Sequence, residues 1–265
     1  MPDDFSLVSA VAALAPSRFA VTIPDGWQQG RGAFGGLVLA TLLRAVEKSE
    51  GDDARATRTL SGDLCGPALP GPAEIAVRTL RRGNNQSNLA AELVQGGEVI
   101  ATAGVVRSAP RRADGAPRIT PTPPPALPPW RDLPAVTPMP PVGPPFAQHY
   151  EYRADAAAFA RTGEPALDGW IRERVPLGAL DAPALIGRLD AWWPTLFAIA
   201  PPRPCATISF VAELLVDPTT LPPDEPLRYH ARMAALHDGF FVELRELWSG
   251  DRVVALNQQT FAILK

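Results

Sequence analysis

The chain has 265 residues, 46% of them hydrophobic and 20% charged, with a formal net charge of -3 at pH 7. That length suits two domains of ordinary size, and the composition is too apolar for extended disorder. The near-neutral balance leaves no basic footprint for nucleic acid and no polybasic patch for an anionic membrane surface.

The first stretch, MPDDFSLVSAVAALAPSRF, carries two acids where a leader peptide would carry Lys or Arg, and its apolar run is too short to span a bilayer. Nothing later resembles a membrane span, so no integral membrane segment is predicted. The two cysteines, Cys65 and Cys205, lie far apart, and no CxxC or His/Cys cluster suggests a metal site or a disulfide framework. A reducing cytoplasm is the expected compartment. Either cysteine could be a nucleophile, but a small buried apolar filler is the commoner fate.

In chain order, GGLVLATLLRAVEK reads as a helix, TRTLSGDL as a strand, and AELVQGGEVIA as strand, glycine turn, strand. Fourteen of the 31 prolines then fall between Pro110 and Pro145. Proline fixes φ and lacks an amide donor, so this stretch is predicted to run extended as a semi-rigid linker. It divides an N-terminal domain (residues 1–109) from a C-terminal one (146–265), with 110–145 between them. Beyond it, AQHYEYRAD and the stretch around GWIRERV read as strands, APALIGRLDAWWPTLF as a helix, and CATISFVAEL as a further strand. The second half closes on RELWSGDRVVA, a second hairpin.

The halves overlay without a gap from Arg78–Ala101 onto Arg232–Ala255, so that Glu92 meets Glu246, Gly96 meets Gly250 and Ala101 meets Ala255. Each half has the order helix then antiparallel strands, which predicts an α+β layer with one sheet packed on one long helix. Two such sheets can join edge to edge, which removes an exposed edge from each.

These residues resemble the acyl-CoA thioesterase II family, whose members carry two hot-dog folds in tandem. The resemblance rests on GAFGGLVLATLLRAV and PGPAEIAVRTLRRGNNQSNLAAELVQGGEVIATAGVV in the first half, and on RLDAWW, CATISF and VVALNQQTFAI in the second. It implies a double hot-dog in which an Asp, a Thr and a Gln hold and polarise the water that attacks an acyl-CoA thioester. Those positions fall on Asp190, Thr207 and Gln259. Leu37 stands after the FGG motif, where such enzymes often carry a polar residue. Hot-dog proteins commonly pair through their sheets, so a homodimer is expected.

Asp181 followed by Pro183 reads as an N-cap with proline in the first turn, so the helix is predicted to begin near Ala182 with Asp190 in its interior. Ile186, Leu189, Trp193 and Phe197 then fall at helical spacing around the acid, and Pro194 is expected to kink or end the helix. The other reading makes Asp190 the cap of a helix starting at Ala191. A buried carboxylate without partners costs several kcal/mol, so Asp190 must be hydrogen-bonded, raised in pKa or open to a wet pocket. Alternation predicts that Thr207 and Ser209 share one face of their strand, and that Asn257 and Gln259 share one face of theirs.

In the internal overlay Thr207 falls on Thr59, Gln259 on Val105, and Asp190 near Gly35, which predicts one working site built mainly from the second half. Gly35 and Gly36, following Phe34, permit close approach of the acyl group and offer donors at a positive helix end, or serve tight packing alone. Arg81 and Arg82 are candidates for the CoA phosphates, and Trp193 for the wall of the acyl tunnel. No metal or other cofactor is required. There is no GxSxG elbow, and no histidine lies in GRLDAWW or on the next strand to support an Asp/His hydratase. A non-catalytic acyl-CoA binding protein is the alternative of another class.

Overall fold

The computed structural model describes residues 4–111, 119–120, 122–136, 138, 143–155 and 163–264. The first half contains α1 (Phe5–Val8), β1 (Ala12–Ala15), β2 (Arg18–Ile23), β3 (Gln28–Gln29), β4 (Gly32–Ala33) and α2 (Gly35–Glu50). It continues through β5 (Ala56–Leu64), β6 (Gly71–Arg82), β7 (Gln86–Gln95) and β8 (Glu98–Ser108). After it come β9 (Ala135–Val136), β10 (Tyr150–Arg153), β11 (Ala166–Glu173) and α3 (Ala182–Asp190). The chain ends on β12 (Cys205–Leu214), β13 (Leu227–His237), β14 (Phe240–Ser249) and β15 (Arg252–Ile263).

Of AQHYEYRAD only Tyr150–Arg153 is strand, since Pro145–His149 forms a 3-10 turn. The other predicted strands and hairpins are present, and among the described residues thirteen strands form one sheet in the order β1-β2-β6-β7-β8-β5-β12-β15-β14-β13-β11-β10-β9. The halves meet where β5 pairs antiparallel with β12, Ser209 opposite Asp63 and Glu213 opposite Thr59. On either side of that joint the order runs as a mirror image. Two edges that would each expose unpaired backbone groups are thereby closed by the duplication itself.

The duplication reaches down to irregularities. The β6–β7 register shifts between Thr79 and Arg81, and β13–β14 shifts between Met233 and Ala235. The hairpins shift between Leu93 and Val94, and between Leu247 and Trp248. Each pair stands at corresponding places of the gapless overlay. A β-bulge adds a residue and redirects the side chains beyond it, so its repetition marks a common local geometry.

The sheet wraps two helices that also pack on each other. The larger, α2, buries Leu39, Leu42, Leu43 and Val46 completely. Truncating any one of these to Ala is expected to cost about 2–5 kcal/mol. The helix of the second half is shorter than predicted. Asp181 caps it, accepting from the Ala184 amide at 2.9 Å with Pro183 in the first turn, but it ends at Asp190. Pro194 has no amide hydrogen for the Asp190 carbonyl, so the next turn cannot form. Asp190 is therefore the last helical residue, neither interior nor the cap of a later helix, and Trp193 and Phe197 leave the helical stripe. Thr195–Ala198 forms a separate 3-10 turn capped by Pro194.

Parts of the proline-rich stretch pack on the second half. Trp170 Nε1 donates to the Pro128 carbonyl at 3.0 Å, Arg153 Nη1 donates to the Leu133 carbonyl at 3.1 Å, and β9 adds to the outer edge of the sheet beside β10. The expectation of an extended run over residues 112–118, 121, 137 and 139–142 lies outside the described residues.

Candidate active site

Asp190, at the C-terminal end of α3, is only 6% exposed. Its Oδ1 accepts from the Gln259 Nε2 at 3.0 Å and its Oδ2 from the Gly36 amide at 2.6 Å. Gln259 is fully buried on β15, and its Oε1 accepts from the Thr207 hydroxyl at 3.3 Å. Only the amide nitrogen suits the carboxylate, which leaves the amide oxygen for Thr207. The three predicted side chains thus form one chain, from hydroxyl to amide to acid.

Thr207 reaches that chain because β12 carries a bulge. Thr207 pairs with Phe261 and Ser209 with Thr260, so Ile208 is the extra residue. The strict alternation expected for this strand is broken there. Thr207 turns to the inner face with Phe210, while Ser209 faces the other way. β5 has the same bulge, between Thr57 and Thr59. Since Phe210 pairs with Gln259 and Leu60 with Val105, the counterpart of Thr207 is Thr57, and not Thr59. The overlay of Gln259 on Val105 agrees with the register.

The first half supplies the other side of the site. Gly35 and Gly36 open α2, and Asp190 sits against them. A Cβ on Gly35 would lie 3.0 Å from Asp190 Oδ2, and one on Gly36 2.9 Å from Asp190 Cβ. The glycine pair therefore admits the carboxylate to the positive end of a 16-residue helix. Phe34 before it is fully buried and stacks on Phe146 with ring centroids 4.3 Å apart. Leu37 is a core residue at 1% exposure, so the polar side chain that often follows the FGG motif has no equivalent here. Burial pushes the Asp190 carboxyl above the usual carboxylate range, while nearby Arg245, the Gln259 amide and the Gly36 amide pull it down.

A cavity of about 1370 Å³ opens beside this group. Gly35, Leu64, Phe146, Trp193, Phe197 and Thr207 are on its wall, so it is mostly apolar with a hydroxyl at one point. Asp190 and Gln259 stand one or two hydrogen bonds from the lining Thr207. Arg81 and Arg82 are not on the wall. Arg81 is exposed, and Arg82 pairs with Asp52 at 2.9 Å beside the end of α2. The cations that do line the cavity are Arg31 and Arg203. Arg31 lies only three residues before Phe34, a nearness that marks it in the sequence.

The cysteines are not the buried fillers expected. Cys65 is exposed and Cys205 half-buried, and both face the cavity, with burial pushing the Cys205 thiol up to about 11. None of the three histidines lines it; His149, for example, stacks on Trp27 at 3.9 Å. Among the described residues, no group of three or more His, Cys, Asp or Glu could hold a metal ion, and no helix is long and apolar enough to cross a membrane.

Sequence reasoning missed the buried charges under the site. Glu243 and Arg245 on β14 are 0% and 1% exposed, on the inner face beside Gln259 and Asn257 of the neighbouring strand. Their signal was present in the alternation, because Phe241, Glu243, Arg245 and Leu247 share one face. Two charges between two apolar residues do not make a solvated face.

Comparison with known proteins places these features in a family. Residues 23–108 match the acyl-CoA thioesterase N-terminal domain and residues 120–263 the acyl-CoA thioesterase C-terminal domain. No curated protein matches. Among solved structures, a conserved protein of unknown function with a hot dog fold from Alicyclobacillus acidocaldarius is 25% identical, with a TM-score of 0.87 over 98% of each chain. A thioesterase II candidate from Thermobifida fusca is 24% identical, with a TM-score of 0.85 over 100% of this chain and 98% of that one. The acyl-CoA thioesterase II TesB2 from Mycobacterium marinum is 17% identical, with a TM-score of 0.76 over 98% of each. The chain is a double hot-dog of the α+β class that belongs to the acyl-CoA thioesterase family, with both family domains in tandem and hydrolysis of the acyl-CoA thioester as its activity.

Proposed function

We propose that Asp190, Thr207 and Gln259 hold and activate the attacking water, with the thioester presented from the apolar cavity. The observation that carries this reading is the continuous chain from the Thr207 hydroxyl through the Gln259 amide to the Asp190 carboxylate, with its hydroxyl end on the cavity wall. Water donates one hydrogen bond toward Asp190 and the other to the Thr207 oxygen, whose own proton is directed to Gln259. Asp190 takes its proton as the oxygen attacks the carbonyl carbon, the C–S bond breaks, and that proton passes to the sulfur, leaving a free acid and CoA thiol. The amino end of α2 places its dipole beside the charge that builds up on the carbonyl oxygen.

The acyl group lies along Phe146, Trp193 and Phe197, and Arg31 and Arg203 meet the phosphates of CoA at the mouth. The same reading divides the chain at the proline-rich stretch 110–145, with the catalytic side chains in 146–265. It extends to a cytoplasmic homodimer acting in lipid metabolism. Exposed Val211 and Leu256 on the outer face of the central strands support a sheet-mediated pairing, and a monomer mass by light scattering would remove it.

The test is a single turnover in ¹⁸O-labelled water, with free CoA trapped by a thiol reagent. The released acid is expected to carry one label for each CoA. Unlabelled acid would mean that a protein oxygen attacks first, and absence of CoA release across a panel of acyl-CoAs would mean binding without hydrolysis.

A further inference from the structure

Asp190 is not the only charge in the dry interior behind the cavity. Arg245 lies with its Nη1 3.9 Å from Asp190 Oδ1 and donates the same nitrogen to the Leu189 carbonyl at 3.0 Å. Its Nε and Nη2 reach Glu243 Oε2 at 3.0 and 2.8 Å. Glu243 turns its other oxygen to Thr195, accepting from the backbone amide at 2.6 Å and from the hydroxyl at 2.7 Å. Phe261 covers the guanidinium, with its ring centroid 5.2 Å away. Every member of the set is almost fully buried.

We infer that Arg245 is a positioning residue for the hydrolysis: its fixed cation, buried beside Asp190, favours the charged carboxylate and, through Glu243 and Thr195, ties that acid to the aromatic segment lining the acyl cavity. This rests on the reading of Asp190 as the group that activates water. Burial alone favours the protonated carboxyl, and a protonated acid cannot accept the water's proton. A guanidinium supplies the opposing charge without ever losing it in the working pH range. Arg245 touches neither the cavity nor the reacting atoms. Glu243 prevents the cation from collapsing onto Asp190 and using up its lone pairs. Thr195 follows Pro194 directly, and Trp193 and Phe197 on either side of them face the cavity.

Gln259, the Gly36 amide and three buried phenols also face Asp190, all of them uncharged. Gln259 on β15 and the Gly36 amide on α2 are neutral donors. Tyr150 and Tyr152 on β10 and Tyr229 on β13 are buried phenols whose pKa burial raises well above the ordinary value, so they stay neutral. Arg245 and Glu243 are the two charges that set the field at Asp190.

The experiment is the pH profile of kcat/KM for three variants. Arg245→Gln removes the cation, and the acid limb should move up by about one to three pH units, the usual effect of a close opposite charge. Glu243→Gln leaves that cation uncompensated, and the limb should move down. Arg245→Lys should leave it near the wild-type position. Opposite displacements for the first two support the inference, since loss of packing alone gives no reason for opposite signs. Limbs that stay in place, or move the same way, overturn it. If Arg245→Gln does not fold, the downward shift in Glu243→Gln decides the matter. Asp190→Asn in the same assay separates the two readings: near-normal turnover there sinks the water-activating role itself, whereas low turnover with unmoved limbs in the other variants sinks only the role of Arg245.

Discussion

The two halves of the molecule carry the same bulged strand beside a helix, yet only the bulge of the second half reaches the cavity. In the second half Thr207 turns inward beside Gln259, and the acid at the end of α3 completes the set. In the first half Thr57 turns inward in the same way, but its hydroxyl donates to Glu47 at 2.7 Å, and Val105 stands in the place of Gln259. Burial pushes the Glu47 carboxyl up, against the pull of the Thr57 hydroxyl. Arg107, opposite Thr57, pairs with Glu50 at 2.8 Å, and Arg55 bonds Ser87. Thr57 is buried there and is not on the cavity wall. A backbone suited to a site is therefore not itself a site. The amide that links hydroxyl to acid, and the cavity beside them, distinguish the second-half copy, the one proposed to work.

The comparison is broken most directly by exchanging roles. Thr207→Val keeps the shape and removes the hydroxyl, and kcat should fall by about 100-fold, within the range for groups that handle the proton. Thr57→Val should change kcat by less than about threefold, because nothing in the cavity depends on it. Equal losses in steady-state hydrolysis would mean two working sites.

A smaller loss of activity is expected at the first-half helix end that Asp190 contacts. Gly36→Ala places a methyl 2.9 Å from Asp190 Cβ and 2.6 Å from the Phe34 ring, so the carboxylate must withdraw from the α2 amide. A fall of about tenfold in kcat follows from losing one charge-assisted hydrogen bond of roughly 1.5 kcal/mol. A wild-type rate would place the helix end outside the chemistry.

The charged cluster of the first half should matter to stability alone. Arg107→Ala leaves Glu50 buried with a partner missing, which is expected to cost about 3–5 kcal/mol, read by denaturant unfolding, with the rate per folded molecule unchanged. The smallest effect belongs to the proline-rich stretch. Cleavage between Ala116 and Val142, which lie outside the described residues, should leave the halves together on gel filtration, since the β5–β12 ladder joins them. Separated fragments would argue that the ladder is too weak to hold them.

Much of this was legible in the sequence for local reasons. Asp181 and Pro183 set the start of α3 because a side-chain acceptor and a missing amide hydrogen act at fixed positions. The hairpins were legible because Gly96 and Gly250 take positive φ, which few other residues do without cost. The inserted Ile208 was not, since a bulge changes the pairing count and leaves the composition of the strand untouched. It reassigned the partner of Thr207 from Thr59 to Thr57. The Arg245–Glu243 pair escaped notice because charges on a strand usually mark a wet face, and only the thickness of the fold above them decides otherwise. Arg81 and Arg82 were misplaced for a related reason: the acids that take Arg82, Glu50 and Asp52, are 30 or so residues away in sequence. For Asp190 and Gly36, 154 residues apart, sequence gave no sign of contact.

Asp190→Asn, with turnover and melting temperature measured side by side across pH, tests the account at its centre. The variant keeps the shape of the side chain and loses its charge, so kcat should fall by about 100-fold to 10,000-fold with KM little changed. Its stability has a definite sign. A carboxyl whose native pKa stands above its unfolded value binds a proton more tightly in the folded chain, so its burial costs least in acid, where both states are protonated. The cost grows as pH rises past the ordinary carboxylate value and is complete above the raised native one. Asp190→Asn should therefore melt near the wild type in acid and above it at neutral pH. A folded variant that turns over at close to the wild-type rate would contradict the account, and with it the claim that this acid activates the water.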